Sequence, residues 1–396
     1  VADINRNWTP IRAMADMSAV LNQFGWMMYS HPVTFARNFK RAAQWTLLQP
    51  EKFAEYVADP ANADALQHGV VAMGRKVSNS LHQSEFEVGS WVERVPVLRE
   101  LADHFRVFST LNRIDTYNGL VAAAERSPRA ARILKSGLEG ATDAAMALSD
   151  VDKDAVARAV NRLSGIATGI ERGPSFFKGG RPGDLETTLL FAPGFLRSGF
   201  ETLIAATVDG GIEGSLARQY IRNMVVGAQT MAATVAVMQG RDPSEVTNPF
   251  DVRAMQRGEF RLNPNFGTIR IGGQDISLYG RWDSLARMAV SSVDAPMRVV
   301  STQSVKPLLE FLDNTVSSKG SPLAAFAEQL VTDGQTYNQN DTLSVQGVIE
   351  NALPFTASGF LQDVLSGESA GPAALRTGVS FFGGKANPLT PFEQLD

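Results

Sequence analysis

The chain has no cysteine among its 396 residues. Disulfide staples, thiolate metal sites and cysteine nucleophiles are therefore excluded. Histidine is scarce: His31, His68, His82 and His104 are the only four, all in the first segment. None falls into HExxH or another close pair suited to zinc. An excess of positive charge is also missing. With a net charge of −4 and a pI near 5.7, no global field draws the chain onto nucleic acid, although local basic patches stay open. No basic, apolar, small-residue leader opens the sequence, which starts at Val1 and reads as a processed product or an ordered fragment of something longer.

Several chemical motifs fail on inspection. "DVDKDAVARAVN" offers Asp150, Asp152 and Asp154 at the first three ligand positions of a calcium loop. The sixth position needs Gly and holds Ala155; the twelfth needs a bidentate Glu and holds Asn161. Helix capping explains those acids better. "FKGGRPGD" has glycines with Lys178 and Arg181 to cradle a phosphate, but lacks the Walker spacing and its Lys-Ser/Thr ending. "GFLRSG" fails the same test, and no GxSxG elbow occurs. "HQSEFE" brings His82 near Glu85 and Glu87, an arrangement that reads as a solvated helix face unless a pocket holds it. His31 before Pro32 reads as a turn residue. No catalytic residue, cofactor site or metal ligand is assigned, and the chain is expected not to be an enzyme.

The 44% hydrophobic and 20% charged content suits an ordinary folded protein with a substantial core. The expected fold class is mainly α, bundle-like, with one small β-hairpin near 267–279. Residues 1–125 form an N-terminal helical domain, in which "VPVLRELADHFRVFSTLNRIDTYNGL" places Leu98, Leu101, Phe105, Phe108 and Leu111 on one stripe. Pro96 sits near the start of that helix, and "PEKFAEYVADP" is a short helix bracketed by Pro50 and Pro60. A helical connector spans 126–171, capped by Ser149 or Asp150, with Val156, Val160 and Leu163 on its buried face. A Gly/Pro linker at 172–184 marks a domain boundary.

Beyond the linker, 185–335 forms an apolar helical domain, and 336–396 adds C-terminal helices and an extended tail. Within "FGTIRIGGQDISLYG", the runs Thr268 to Ile271 and Gln274 to Leu278 alternate around Gly272-Gly273, a hairpin signal. Helices are expected again from Arg281 onward, and no fixed-period repeat appears.

Two stretches raise the question of a bilayer. "TLLFAPGFLRSGFETLIAATVDGG" is broken by Pro193 and carries Arg197, Glu201 and Asp209, which favours a part-buried setting within protein. "NMVVGAQTMAATVAVMQG", residues 223 to 240, has no charge. As a helix it spans about 27 Å at about 1.5 Å per residue, close to a hydrocarbon core. Asn223, Gln229, Thr230, Thr234 and Gln239 dilute it, and Arg218, Arg222 and Arg241 bracket it. Gly227, Ala228, Ala232, Ala233 and Ala236 permit close helix–helix approach in either solvent, and form the expected helix–helix or membrane-tolerant interface. Three readings stay open: a buried core helix, a helix stored in protein and inserted later, and an oligomer interface.

Five segments taken in order resemble a known group. "IRAMADMSAVLNQFGWMMYSHP", with Asp16, Ser18 and Gln23, resembles the opening of a domain that recurs near the C-terminal end of large polyvalent phage proteins. "FSTLNRIDTYNGL" is similar to the pattern closing that domain, with Ile114 as a departure. "LLFAPGFLRSGFETLIAA" resembles the apolar run that follows, and "GTIRIGGQDISLYGRWDSLARMA" resembles the shared hairpin. "VSSKGSPLAAFAEQLVTDG" resembles the next stretch, with Ser317 in place of the usual basic residue.

The resemblance, to the C-terminal region of large polyvalent or internal virion (ejection) proteins of tailed bacteriophages, implies a protein packaged in the virion interior. It would be delivered with the genome to the host envelope, lining or anchoring a conduit there. The partners it implies are further copies in a homo-oligomeric ring, the portal and other internal virion proteins, and the host membrane. Two rivals remain: an accessory, non-catalytic region of a co-injected polymerase or antirestriction enzyme, and a scaffold with no membrane step.

Overall fold

Proline sets where helices begin. In the computed structural model, which describes residues 18–74, 77–78, 96–134, 148–168, 193–256, 262–271, 274–279 and 385–388, six helices have Pro as their first residue. They are α2 (Pro32–Leu47), α3 (Pro50–Ala58), α4 (Pro60–Gln67), α5 (Pro96–Arg126), α6 (Pro128–Leu134) and α8 (Pro193–Val208). The first helical position has no intrahelical use for its N–H, and the ring fixes φ near the helical value. Pro193 thus opens α8. The remaining helices are α1 (Ser18–Ser30), α7 (Asp150–Leu163), α9 (Ile212–Met238), α10 (Ser244–Thr247) and α11 (Val252–Gln256). The described part of the chain is mostly helical, in agreement with the expected fold class.

The chain divides into two compact units. A helical unit comprises Gln23–Gly183 and Ala192–Met224; a hairpin unit comprises Val1–Asn22, Asp184–Phe191 and Val225–Asp396. The chain passes between the two units at Gly183/Asp184, at the end of the 172–184 stretch, and again inside α9, between Met224 and Val225. That linker lies outside the described residues, as do His82, Glu85, Glu87, the Gly272-Gly273 turn and the helices expected from Arg281 onward.

In the helical unit, α2 packs along α5 around Phe108, which is fully buried. Phe24, Phe35 and Phe39 meet its ring edge-on at centroid distances of 5.3, 5.4 and 5.8 Å. Edge-to-face rings of this kind add roughly 0.5–1.5 kcal/mol each beyond area burial. Phe105, Phe108 and Leu111 of the expected stripe are buried, as are Val156, Val160 and Leu163 of α7. Ser149 caps α7 through a reciprocal box: its hydroxyl accepts from the Asp152 N–H, and the Asp152 carboxylate accepts from the Ser149 N–H. The acids of the rejected calcium loop therefore serve helix initiation.

Two small antiparallel sheets complete the described structure. β1 (Met73–Gly74) pairs with β2 (Val77–Ser78). In the hairpin unit β3 (Thr268–Ile271) pairs with β4 (Gln274–Ser277), with Ile269 opposite Ile276. The tail supplies β5 (Lys385–Pro388), antiparallel to β4, so the hairpin is two strands of a three-stranded sheet. The extended tail has a specific partner, which makes β4 the central strand.

Candidate functional site

α9 presents two different surfaces. Within the hairpin unit, Ala228, Ala232 and Ala236 recur every four residues and are fully or almost fully buried. Ala232 and Ala236 pack with Val246, Ile269 and Ile276, so the small side chains let the sheet come close to the helix backbone. Gly227 and Ala233 are half-buried. Gln229 donates to the Tyr279 hydroxyl at 2.6 Å, and Gln239 donates to the Arg270 carbonyl, tying both ends of the contact. The helix stops at Gly240, whose φ of +72° lets the Arg241 N–H reach back to the Ala236 carbonyl at 2.9 Å.

The opposite surface is uncovered. Val226, Val237 and Met238 are 58%, 61% and 81% exposed, with Met231 at 44%. Thr230 and Thr234 lie exposed among them. Four large apolar side chains within four turns of the uncharged part of one helix form an unusual solvent face. Sequence reasoning singled out the small residues and missed these. The usable signal was the Val and Met residues offset from the alanine stripe. α9 has 27 residues and is long enough to span a bilayer, but its polar dilution counts against it. No helix among the described residues is long and apolar enough to cross a membrane.

The helical unit holds a buried charge network that the sequence gives no means of pairing. Glu201 of α8 is fully buried. Its carboxylate accepts from the Thr168 N–H at 2.9 Å and from Arg197 Nε at 3.3 Å, with Arg162 Nε at 3.5 Å. Arg162 also reaches Glu213 of α9 at 2.7 Å, and the more exposed Arg158 meets the same carboxylate at 2.8 Å. The geometry neutralises and fixes these groups, joining α7, α8 and α9.

Arg113 of α5 is buried with a different solution. Nε donates to Ser164 Oγ at 2.7 Å and Nη1 to the Val71 carbonyl at 3.3 Å. Ser164 in turn donates to the Asn161 carbonyl, so the cation sits at the C-terminal end of α7, where the helix dipole favours it. Burial pulls this guanidinium down to about 9.

The histidines take separate roles. His31 occupies the N-cap of α2, with Nε2 3.4 Å from the Tyr220 hydroxyl. His68 ends α4, its Nδ1 2.7 Å from Asp154 and its Nε2 3.5 Å from Asp64. Asp64 also accepts from Lys153 at 2.9 Å and from the Tyr117 hydroxyl at 2.9 Å. Burial works to raise the Asp64 carboxyl, but those two hydrogen bonds outweigh it and hold it below the usual carboxylate range. The Tyr117 hydroxyl is pushed up by burial and by Asp64. No group of metal-ligating side chains occurs among the described residues. His104 lies buried in the α2–α5 seam.

Compared with family models, curated proteins and solved structures, the chain matches none. The arrangement that remains to be explained is the open face of α9.

Proposed function

We propose that this chain is a structural assembly module of a tailed-phage internal virion protein, packaged in the particle and delivered with the genome. It works by self-association, and the open face of α9 is the joining surface. Seated on a different surface of the next copy, it makes a head-to-tail contact that closes by rotation into a ring in the particle, which later lines a conduit at the host envelope. The phage assignment rests on the ordered resemblance of the five segments. The observation that carries the assembly reading is the exposed Val226, Met231, Val237 and Met238 on a stretch with no charge from Asn223 to Gly240. Leaving such residues in water costs several kcal/mol at about 1.5–3 kcal/mol per large apolar side chain, and a second copy removes that cost. A helix that packs against protein on both faces needs no bilayer. The reading therefore places the conduit role in lining, without a spanning segment.

Sedimentation of the full chain across micromolar concentrations tests this. The expected result is reversible association that Val226→Asp and Val237→Asp each abolish while circular dichroism stays unchanged. A chain that stays monomeric throughout, or whose association ignores both substitutions, defeats the proposal. Liposome flotation separates the lining role from an anchoring one, because lipid capture by the same face would replace the second copy with a membrane surface.

A further inference from the structure

The longest helix of the helical unit, α5, carries a histidine with nowhere to put a second proton. His104 is 8% exposed. Its ring stands edge-on to Phe39 of α2 at 5.3 Å. One ring nitrogen is hydrogen-bonded to the Ala42 backbone, again on α2, and Nε2 is buried without a hydrogen-bond partner. Both contacts close the same seam, where α2 lies along α5.

We propose that this seam is an acid-released clasp, in which a second proton on His104 expels α2 from α5. The neutral ring fits: one N–H, one acceptor, and a bare nitrogen facing apolar surroundings. The imidazolium has two N–H donors and the same single acceptor, so it buries an unsatisfied donor and a net charge together.

The charges around the seam do not rescue it. α2 brings Arg37, Lys40 and Arg41 and no acid, so the closing helix adds only like charge. α1 carries no charged residue. On α5, Asp103 is paired with Arg106 at 3.3 Å and Glu100 with Arg99 at 3.3 Å. Farther along, Asp115 holds Arg37 at 3.1 Å, with Arg41 at 4.0 Å. That pair binds α2 to α5 independently of His104, so it sets the resistance the clasp must overcome.

Burial lowers the His104 ring to about 4, against about 6.5 in an opened seam. A group whose folded value is depressed in this way favours the closed form while it is neutral. Protection is complete above about pH 6.5, is lost as pH falls, and levels off below about 4. At pH 5 the opening equilibrium rises about thirtyfold, from the ratio of the two protonation polynomials.

The test is hydrogen–deuterium exchange of α2 in the full chain between pH 7.5 and 4.5, corrected for intrinsic rates. The expected result is a rise of about thirtyfold at pH 5 in wild type, from the same linkage, absent from His104→Phe and retained in His68→Asn. Persistence of the rise in His104→Phe would show that the release does not depend on this ring and overturn the proposal. Should His104→Phe fail to fold, the proton resonances of the wild-type His104 ring decide. Titration near 6.5 with α2 still protected rejects the clasp; titration coincident with α2 exposure upholds it. A flat exchange profile in wild type also rejects it.

Discussion

Replacing Glu201 with Gln keeps the shape of the side chain and removes its charge from a fully buried position. Three contacts change at once: the Thr168 N–H at 2.9 Å, Arg197 Nε at 3.3 Å and Arg162 Nε at 3.5 Å. Hydrogen bonds involving an ionised partner are roughly twice as strong as neutral ones and contribute about 1.5–3 kcal/mol each. Halving the two hydrogen bonds, from the Thr168 N–H and Arg197 Nε, and losing the ion pair with Arg162 together remove about 3 kcal/mol, near the lower end of the roughly 3–5 kcal/mol seen when one partner leaves a buried ion pair. Arg162 keeps Glu213, which holds the estimate at that end. In urea, with a slope of about 2–3 kcal/mol per molar, the unfolding midpoint of the helical unit should fall by about 1–1.5 M. The loss should change little with salt, because the pair is screened only weakly. Arg158→Gln is the internal comparison. Its partner Glu213 is shared, but its own side chain is 46% exposed, so the midpoint should barely move. A fall below about 0.4 M for Glu201→Gln, corresponding to about 1 kcal/mol, refutes the view that this carboxylate fastens α7, α8 and α9 together.

Two further substitutions probe other joints. Asn161 is buried and bridges the turn after α4, accepting from the Val71 N–H at 3.0 Å and donating to the Gly69 carbonyl at 2.8 Å. Asn161→Ala should cost about 2–3 kcal/mol in urea unfolding, since two backbone groups lose their partner; Asn161→Asp, which keeps only the acceptor, should fall between. Gly267 has φ +65°, and a Cβ there would collide with the Tyr279 ring. Gly267→Ala should therefore destabilise the hairpin unit by about 1–3 kcal/mol, and Tyr279→Leu should recover the collision component but not the backbone strain, as read by a double-mutant cycle in thermal unfolding.

What the sequence made legible was local. The helix starts at Pro50 and Pro96 were legible, because a proline at the first helical position acts within one turn. The cap at Ser149 or Asp150 and the runs Thr268–Ile271 and Gln274–Leu278 depended on residues a few positions apart; Ser149 is the cap, and the second strand ends one residue earlier, at Ser277. Pairings across long separations were not legible. Nothing in "SGIATG" foretells that the Thr168 N–H meets Glu201, and nothing in Asn161 alone announces the turn at Val71. The tail near Lys385 read as extended, but periodicity carries no information about which strand an extended segment will join. In the sequence His104 is only one of four histidines without a zinc pair. Its burial against Phe39 depends on how α2 lies, which the stripe of α5 does not encode.

The alanine stripe of α9 shows how little such a pattern says about its partner. Alanine every four residues says that something approaches the helix backbone closely, and Ala232 and Ala236 are indeed buried by a close neighbour. It does not say what approaches: here it is a sheet edge-paired by β5, where a second helix was expected. Small residues minimise distance, while large ones supply most of the apolar area that drives association. In the proposed assembly, the side of α9 that would supply the buried area is therefore the one that lacks the stripe. Val226, Val237 and Met238 are left with the area still unspent, while the alanines that look like an interface have already been used in folding. Charge sharpens the distinction. The first three turns of α9 are fixed by directed bonds, Glu213 to Arg162 and Arg218 to the Ala206 and Asp209 carbonyls. From Asn223 to Gly240 no charged side chain exists to impose an orientation. A surface without directional bonds tolerates small rotations between neighbours. Apolar contact at such a surface would suit the proposed assembly, whose copies would first pack in one arrangement and then slide into another.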